Sequence, residues 1–111
     1  MLKDVLQPRY GCAVELALDV IGGKWKVVVL AHLKEAPRRY GELRSLVPGV
    51  SDKMLTQRLS ELTSAGLVER DRAGEYVLST EGQRLAPALQ ALYDYGTRIA
   101  AENGVELTTP G

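Results

Sequence analysis

A row of hydrogen-bonding side chains follows Ser51 at helical spacing. At about 100° per residue, Lys53, Thr56, Gln57, Ser60 and Ser64 project to one side while Leu55, Leu59 and Leu62 fall on the other. Such a polar side offers donors and acceptors at the pitch of base edges. A glutamine can pair bidentately with adenine, a lysine with guanine, and a threonine presents a methyl to thymine. Ser51 can cap the helix through its side-chain oxygen, and Asp52 suits the positive end of the helix dipole. Taken alone, the same pattern also describes an ordinary amphipathic helix with a solvated face. The elements around it decide between the two.

Three other positions invite chemistry. Cys12 is the only cysteine, so no internal disulfide is available. It stands just before a helical stretch, where unpaired backbone N–H groups and the helix dipole favour a thiolate; the alternative is a small buried hydrophobe. Gly22-Gly23-Lys24 lacks the earlier glycine of a phosphate loop, and Trp25 occupies the place of the Mg²⁺-binding Ser or Thr. Trp25 reads better as a core anchor. His32 is the single histidine and has no partner at metal-binding spacing, so a surface or partly buried helix position is expected. With no acid/base pair, no Ser-His-Asp set and no nucleotide loop, the chain is not expected to be an enzyme, and no residue pattern calls for a cofactor.

The elements that position these residues can be read from apolar spacing. Val14, Leu18 and Ile21 form the stripe of a helix over 13–21, stopped at Gly22-Gly23. Lys24 to Lys34 is apolar on more than one side, as a centrally buried helix is. Residues 38–40 have room for a very short strand, and Tyr40, Leu43, Leu46 and Val47 mark a helix closed by Pro48-Gly49. The helix from Ser51 ends at Gly66. Residues 67–70 and 75–78 read as two short strands around a turn. Thr80 and Gln83 have the form of a capping box opening a last helix, which Pro87 should kink without ending. Beyond Asn103-Gly104 no stripe continues, and the tail is expected to fray.

Three helices, a polar-faced helix, a hairpin and a further helix compose a winged helix-turn-helix: a mainly α fold with a small β-hairpin. Bulk properties agree with a single domain over 1–111. The chain has 111 residues, 45% of them hydrophobic, and 14 basic against 14 acidic side chains. The charge is unevenly placed. Between Lys34 and Arg58 six basic residues face three acidic ones, whereas from Leu59 onward eight acidic residues face four basic ones. Positive potential therefore concentrates beside the polar-faced helix, in line with double-stranded DNA as partner. Arg44 lies on the exposed side of its helix, and Arg72 in the hairpin turn can reach a phosphate or the minor groove, although Asp71 and Glu75 weaken the local potential. The N-terminus carries no apolar run of signal-peptide length, and the 27–33 stretch is too short for a bilayer. A cytoplasmic protein with no membrane partner is expected.

Several segments together resemble the HxlR-type transcriptional regulators, a branch of the MarR-like winged-helix proteins. They are Cys12 with Val14-Glu15, Ile21-Gly22-Gly23-Lys24-Trp25, Tyr40-Gly41-Glu42-Leu43, Val50 through Thr56, Leu62 with Gly66-Leu67-Val68, and Tyr76 through Gly82. The resemblance runs from about Cys12 to Gly96. It implies a homodimer formed through N- and C-terminal helices, a two-fold operator near a promoter, and a bacterial or archaeal source. It also divides the chain into N-terminal helices over 8–34, helix-turn-helix and wing over 38–78, and a C-terminal dimerisation helix over 79–104. On this basis Lys53, Thr56, Gln57 and Ser60 are expected to read bases. Ser51, Arg38, Arg39 and Arg44 are expected to fix register on phosphates, with Arg72 in the wing. Cys12 matches the position at which some members sense oxidants, quinones or aldehydes, making a small electrophile or oxidant a further expected partner. The hairpin departs from the family by its short turn, without the longer proline-containing excursion. The competing reading is a winged-helix protein–protein interaction module that never touches DNA.

Overall fold

The structure, a computed structural model, describes residues 2–108; the final three positions of the tail, like Met1, lie outside it. The elements in chain order are α1 (Leu2–Val5), α2 (Ala13–Ile21), α3 (Lys24–Glu35), α4 (Tyr40–Leu46), α5 (Asp52–Ser64), β1 (Val68–Arg70), β2 (Tyr76–Leu78), α6 (Thr80–Gln83) and α7 (Ala86–Asn103). No helix among the described residues is long and apolar enough to cross a membrane.

The central helix is α3, which packs against α4, α5, β2 and α7. That role explains why its sequence is apolar on several sides: Val29, Leu30 and Leu33 are all buried. Around them close Leu43 and Val47 from the α4 region, Leu55, Leu59 and Leu62 from α5, Leu67, Val68 and Leu78 from the hairpin, and Leu89 from α7. Helix α2 stops where Gly22 takes a left-handed conformation (φ 69°) and its N–H donates to the Leu18 carbonyl at 2.9 Å.

The strands pair antiparallel with Val68 opposite Leu78, Glu69 opposite Val77 and Arg70 opposite Tyr76. Residues 38–40, with room for a short strand, contribute one bridge: Arg38 and Tyr76 exchange backbone hydrogen bonds of 3.0 and 2.7 Å. This bridge ties the approach to α4 onto the hairpin.

Three expectations need correction. The cap of α6 is Ser79, not Thr80: its hydroxyl accepts from the Gly82 N–H at 3.0 Å and donates to the Gly66 carbonyl at 2.7 Å. Ser79 thus serves the new helix and the end of α5 at once, which a pairing of Thr80 with Gln83 cannot do. Pro87 does not kink a continuous helix. The chain leaves the helix at Arg84 and Leu85 and restarts at Ala86, with Pro87 in the first turn of α7, where its missing N–H costs nothing. His32 is not at the surface but is buried at 4% exposure among the core side chains of α3.

Gly82 shows how closely α6 is docked. A Cβ there would lie 2.2 Å from the Leu67 carbonyl oxygen, so only glycine lets α6 approach the start of the hairpin.

One part of the pattern is left without a partner among the described residues. Of the α2 stripe only Ile21 is buried; Val14 is 66% and Leu18 63% exposed. On α7, Leu89 and Ala100 face inward while Leu92, Tyr93 and Tyr95 are exposed.

Candidate nucleic-acid interface

The candidate reading face is built by α5. Ser51 caps the helix, its Oγ accepting from the Met54 N–H at 3.1 Å, and Asp52 follows in the first turn. Leu55, Leu59 and Leu62 anchor one side in the core. Lys53, Thr56, Gln57 and Ser60 are all exposed on the other. The spacing that placed them on one face therefore holds in the folded chain. Arg58, between the two faces, is half-buried and donates to Glu61 at 2.6 Å, with Lys26 of α3 3.7 Å from the same carboxylate oxygen.

The angle between α4 and α5 is held by a polar clamp that sequence reasoning missed. The Asp52 carboxylate accepts from the Tyr40 hydroxyl at 2.8 Å and from Arg44 Nε at 2.6 Å. Arg44 also donates to the Val50 carbonyl at 2.8 Å. Tyr40 and Arg44 lie one turn apart on α4, so both reach the first residue of α5 across the turn. The Tyr40 hydrogen bond, then the hydrogen bond and charge of Arg44, hold the Asp52 carboxyl below its ordinary pKa. Nothing in the local sequence signals it, because the twelve-residue separation of Tyr40 and Asp52 depends on the path of the intervening turn.

The other arginines divide. Arg38 is half-buried and its Nε donates to the His32 carbonyl at 3.3 Å. Arg39 is exposed, with its guanidinium over the hairpin turn, where a Cβ on Gly74 would lie 3.9 Å from its NH1; its backbone N–H is capped by Glu42 at 2.7 Å. Arg44 spends two donor groups on the clamp and keeps the remaining guanidinium hydrogens for other partners. Arg70 is committed to the hairpin, stacking over the Tyr76 ring at 4.4 Å and donating to its hydroxyl at 2.8 Å. Arg72 is exposed in the turn. Its acidic neighbour Asp71 is turned inward, accepting from the N–H groups of Ala73 and Glu75 at 2.9 Å each. That carboxylate shapes the short wing.

Arg44 thus lies against the first turn of α5, and Arg39 beside the turn of the wing. Cys12 does not belong to this surface. It is exposed and occupies the N-cap of α2. Among the described residues no cluster of His, Cys, Asp and Glu is arranged to hold a metal ion.

The comparisons with known proteins agree with this geometry. The HxlR-like helix-turn-helix family model matches residues 20–103, a span that holds α5 and its polar face and leaves Cys12 outside. The HTH-type transcriptional regulator YkvN of Bacillus subtilis strain 168 is similar at 38% identity over 112 residues, covering 92% of this chain and 95% of that one. Among solved structures, the redox regulator HypR in its oxidized form superposes with a TM-score of 0.71 at 35% identity, covering 78% of this chain and 96% of that one. Quinone-bound YodB from B. subtilis gives a TM-score of 0.65 at 29% identity, covering 77% and 96%.

Proposed function

The chain belongs to the HxlR-like helix-turn-helix family of transcriptional regulators, and from that membership we propose that it acts as a homodimer that reads a two-fold operator in double-stranded DNA. The observation that carries this reading is the division of α5 into a leucine face in the core and an exposed face of Lys53, Thr56, Gln57 and Ser60. A helix so mounted can enter the major groove while the core fixes its angle. In this reading those four side chains contact base edges. Ser51 and the exposed or partly exposed arginines, Arg38, Arg39, Arg44 and the wing's Arg72, contact phosphates. The dimer joins the exposed apolar faces of α2 and α7, which have no partner among the described residues. The cytoplasm, where its DNA lies, is its place of action.

Cys12 is the second part of the proposal. An exposed thiol at a helix N-cap is accessible to oxidants and electrophiles, and the structurally similar HypR is a redox regulator, while YodB has been seen with a quinone bound. Its place on α2, within the proposed dimer face, lets modification change the relation of the two protomers.

The test is selection of a duplex from random sequence by the purified protein, followed by affinity measurement over a salt series. The expected result is one enriched two-fold sequence, a salt-dependent affinity, and a changed base preference for Gln57→Ala. Failure to bind any duplex in a salt-dependent manner overturns this reading and leaves the fold as a protein–protein module. Treatment with a mild oxidant should change operator affinity in the wild type and not in Cys12→Ser; equal responses overturn the sensor assignment alone.

A further inference from the structure

At about 100° per residue, the face of Lys53, Gln57 and Ser60 lies between two flanks of α5. On one flank Asp52 meets Tyr40 and Arg44 of α4. On the other, Met54 and Arg58 wall a cleft together with Gly22, Gly23, Lys24 and Trp25, the turn into α3 and its first residues. The Trp25 ring ties this cleft to the helix-turn-helix. A Cβ on Gly49, in the turn before α5, would lie 3.0 Å from the ring's Cη2.

Three cations stand around the cleft, and they share one carboxylate. Lys24 is exposed, with its Nζ 4.8 Å from the centre of the Trp25 ring. Lys26 folds back over Gly22, where a Cβ would lie 2.7 Å from its Nζ. Arg58 donates to Glu61 at 2.6 Å, and Lys26 stands 3.7 Å from the same oxygen, so one negative charge offsets two positive ones. Among the described residues, no acidic side chain lines the cleft or pairs with Lys24. The indole ring holds the Lys24 ammonium through its face and leaves N–H donors open to an acceptor on the solvent side. The width of DNA says what that acceptor is. An α-helix with its side chains is about 10–12 Å across and the major groove about 12 Å wide, so a helix reading the groove has a phosphate strand against each flank. The Arg44 flank meets one strand; a cation is called for at the Met54 and Arg58 flank, and Lys24 is held there.

We propose that Lys24, steadied on Trp25 and backed by the positive field of Lys26 and Arg58, grips a backbone phosphate of the second DNA strand, across the major groove from the strand facing Arg44. Each half-site is then held on both walls of the groove, which fixes how α5 sits between them. The inference rests on the DNA-binding reading above and adds to it a phosphate site on α3, outside the two helices of the helix-turn-helix.

The full-length protein is titrated with the selected duplex and with an unrelated one over a salt series. In Lys24→Gln the slope of log affinity against log salt should become shallower by about 0.9 per protomer and about 1.8 per dimer on both duplexes. The selected sequence should stay the same, since no base contact is lost, and Lys24→Arg should keep the wild-type slope. Ethylation of single phosphates should block wild-type binding in two rows that face each other across the groove, and Lys24→Gln should lose its sensitivity to one row only. Because Trp25 is the chain's one tryptophan, its fluorescence reports the cleft directly, and bound duplex should shield it from acrylamide quenching. A wild-type slope in Lys24→Gln, an unchanged ethylation pattern, or a Trp25 as open to acrylamide in the complex as in the free protein overturns the second-strand site and leaves the DNA-binding reading standing. A wild type that binds no duplex in a salt-dependent manner overturns that reading, and the site with it.

Discussion

Replacing Asp52 with asparagine should tighten binding to every duplex, and the clamp on α5 sets the size of the effect. The Asp52 carboxylate accepts from Tyr40 and from Arg44 Nε, and asparagine keeps an oxygen able to accept from both. The side chain is 72% exposed, so the core is untouched and the angle between α4 and α5 should persist. What changes is charge. In the wild type the carboxylate pairs with the Arg44 guanidinium beside the proposed DNA-facing surface; in Asp52→Asn each protomer presents one more uncompensated cation there. If each freed arginine neutralises one further phosphate, the slope of log affinity against log salt steepens by about 0.9 per protomer and about 1.8 per dimer. Between 50 and 200 mM salt that slope difference amounts to about a twelvefold change in the ratio of variant to wild-type affinity. Fluorescence anisotropy on the selected operator and on an unrelated duplex, each over a salt series, measures both slopes. The double variant Arg44→Ala with Asp52→Asn should lose the added slope. If Asp52→Asn leaves the slope unchanged on both duplexes, Arg44 only braces the turn, and its assignment to phosphate is wrong.

Three further outcomes follow from the packing. Gly82→Ala should destabilise the fold by about 1–3 kcal/mol in chemical denaturation, because its Cβ would fall 2.2 Å from the Leu67 carbonyl oxygen; unchanged stability would mean that α6 is not docked as described. His32 has its pKa lowered in the folded chain, so acid favours the unfolded state, which takes up the proton more readily. Thermal stability should therefore fall as pH drops below the ordinary histidine range, and His32→Leu should flatten that part of the profile. Leu18→Glu should weaken dimerisation about a hundredfold or more in sedimentation, since two leucines are lost from a symmetric apolar face, while circular dichroism of the protomer core is retained. An unaltered dimer would place the interface elsewhere.

Much of the reading face was legible because helical periodicity is a local property. Leu55, Leu59 and Leu62 had to share a side, and Lys53, Thr56, Gln57 and Ser60 then had to share the other. The serine cap before them was equally local. Apolar spacing could not say where apolar faces go: Val14, Leu18 and Ile21 make one stripe, yet only Ile21 is buried within the chain. The histidine was misplaced for the same reason, since a lone polar residue in an apolar helix carries no mark of the side on which its neighbours will pack. Pro87 was read as a kink because Leu89 and Leu92 resume the spacing of Leu85; the two-residue break before it follows from the docking of α6 through Gly82 and Ser79, contacts to residues far back in the chain. Tyr40, Asp52 and Arg44 meet only after the turn between α4 and α5 is drawn, so their clamp is a product of the fold.

The exposed stripe of α2 has a thermodynamic consequence for the cell. A helix of nine residues is shorter than the twelve to fifteen or so that hold together in water unaided, and this one buries only Ile21, with Val20 packed half-buried against the core. In the dimer proposed above, part of its order would come from the second copy, so that folding of this segment and association would be one equilibrium, governed by mass action. Copy number then sets more than operator occupancy. On that reading a scarce regulator loses α2 first, and with it the cap on which Cys12 sits, whereas an abundant one holds the same thiol at a formed helix end. Autoregulation of expression would in that case tune the chemical sensitivity of each molecule as well as the number of molecules.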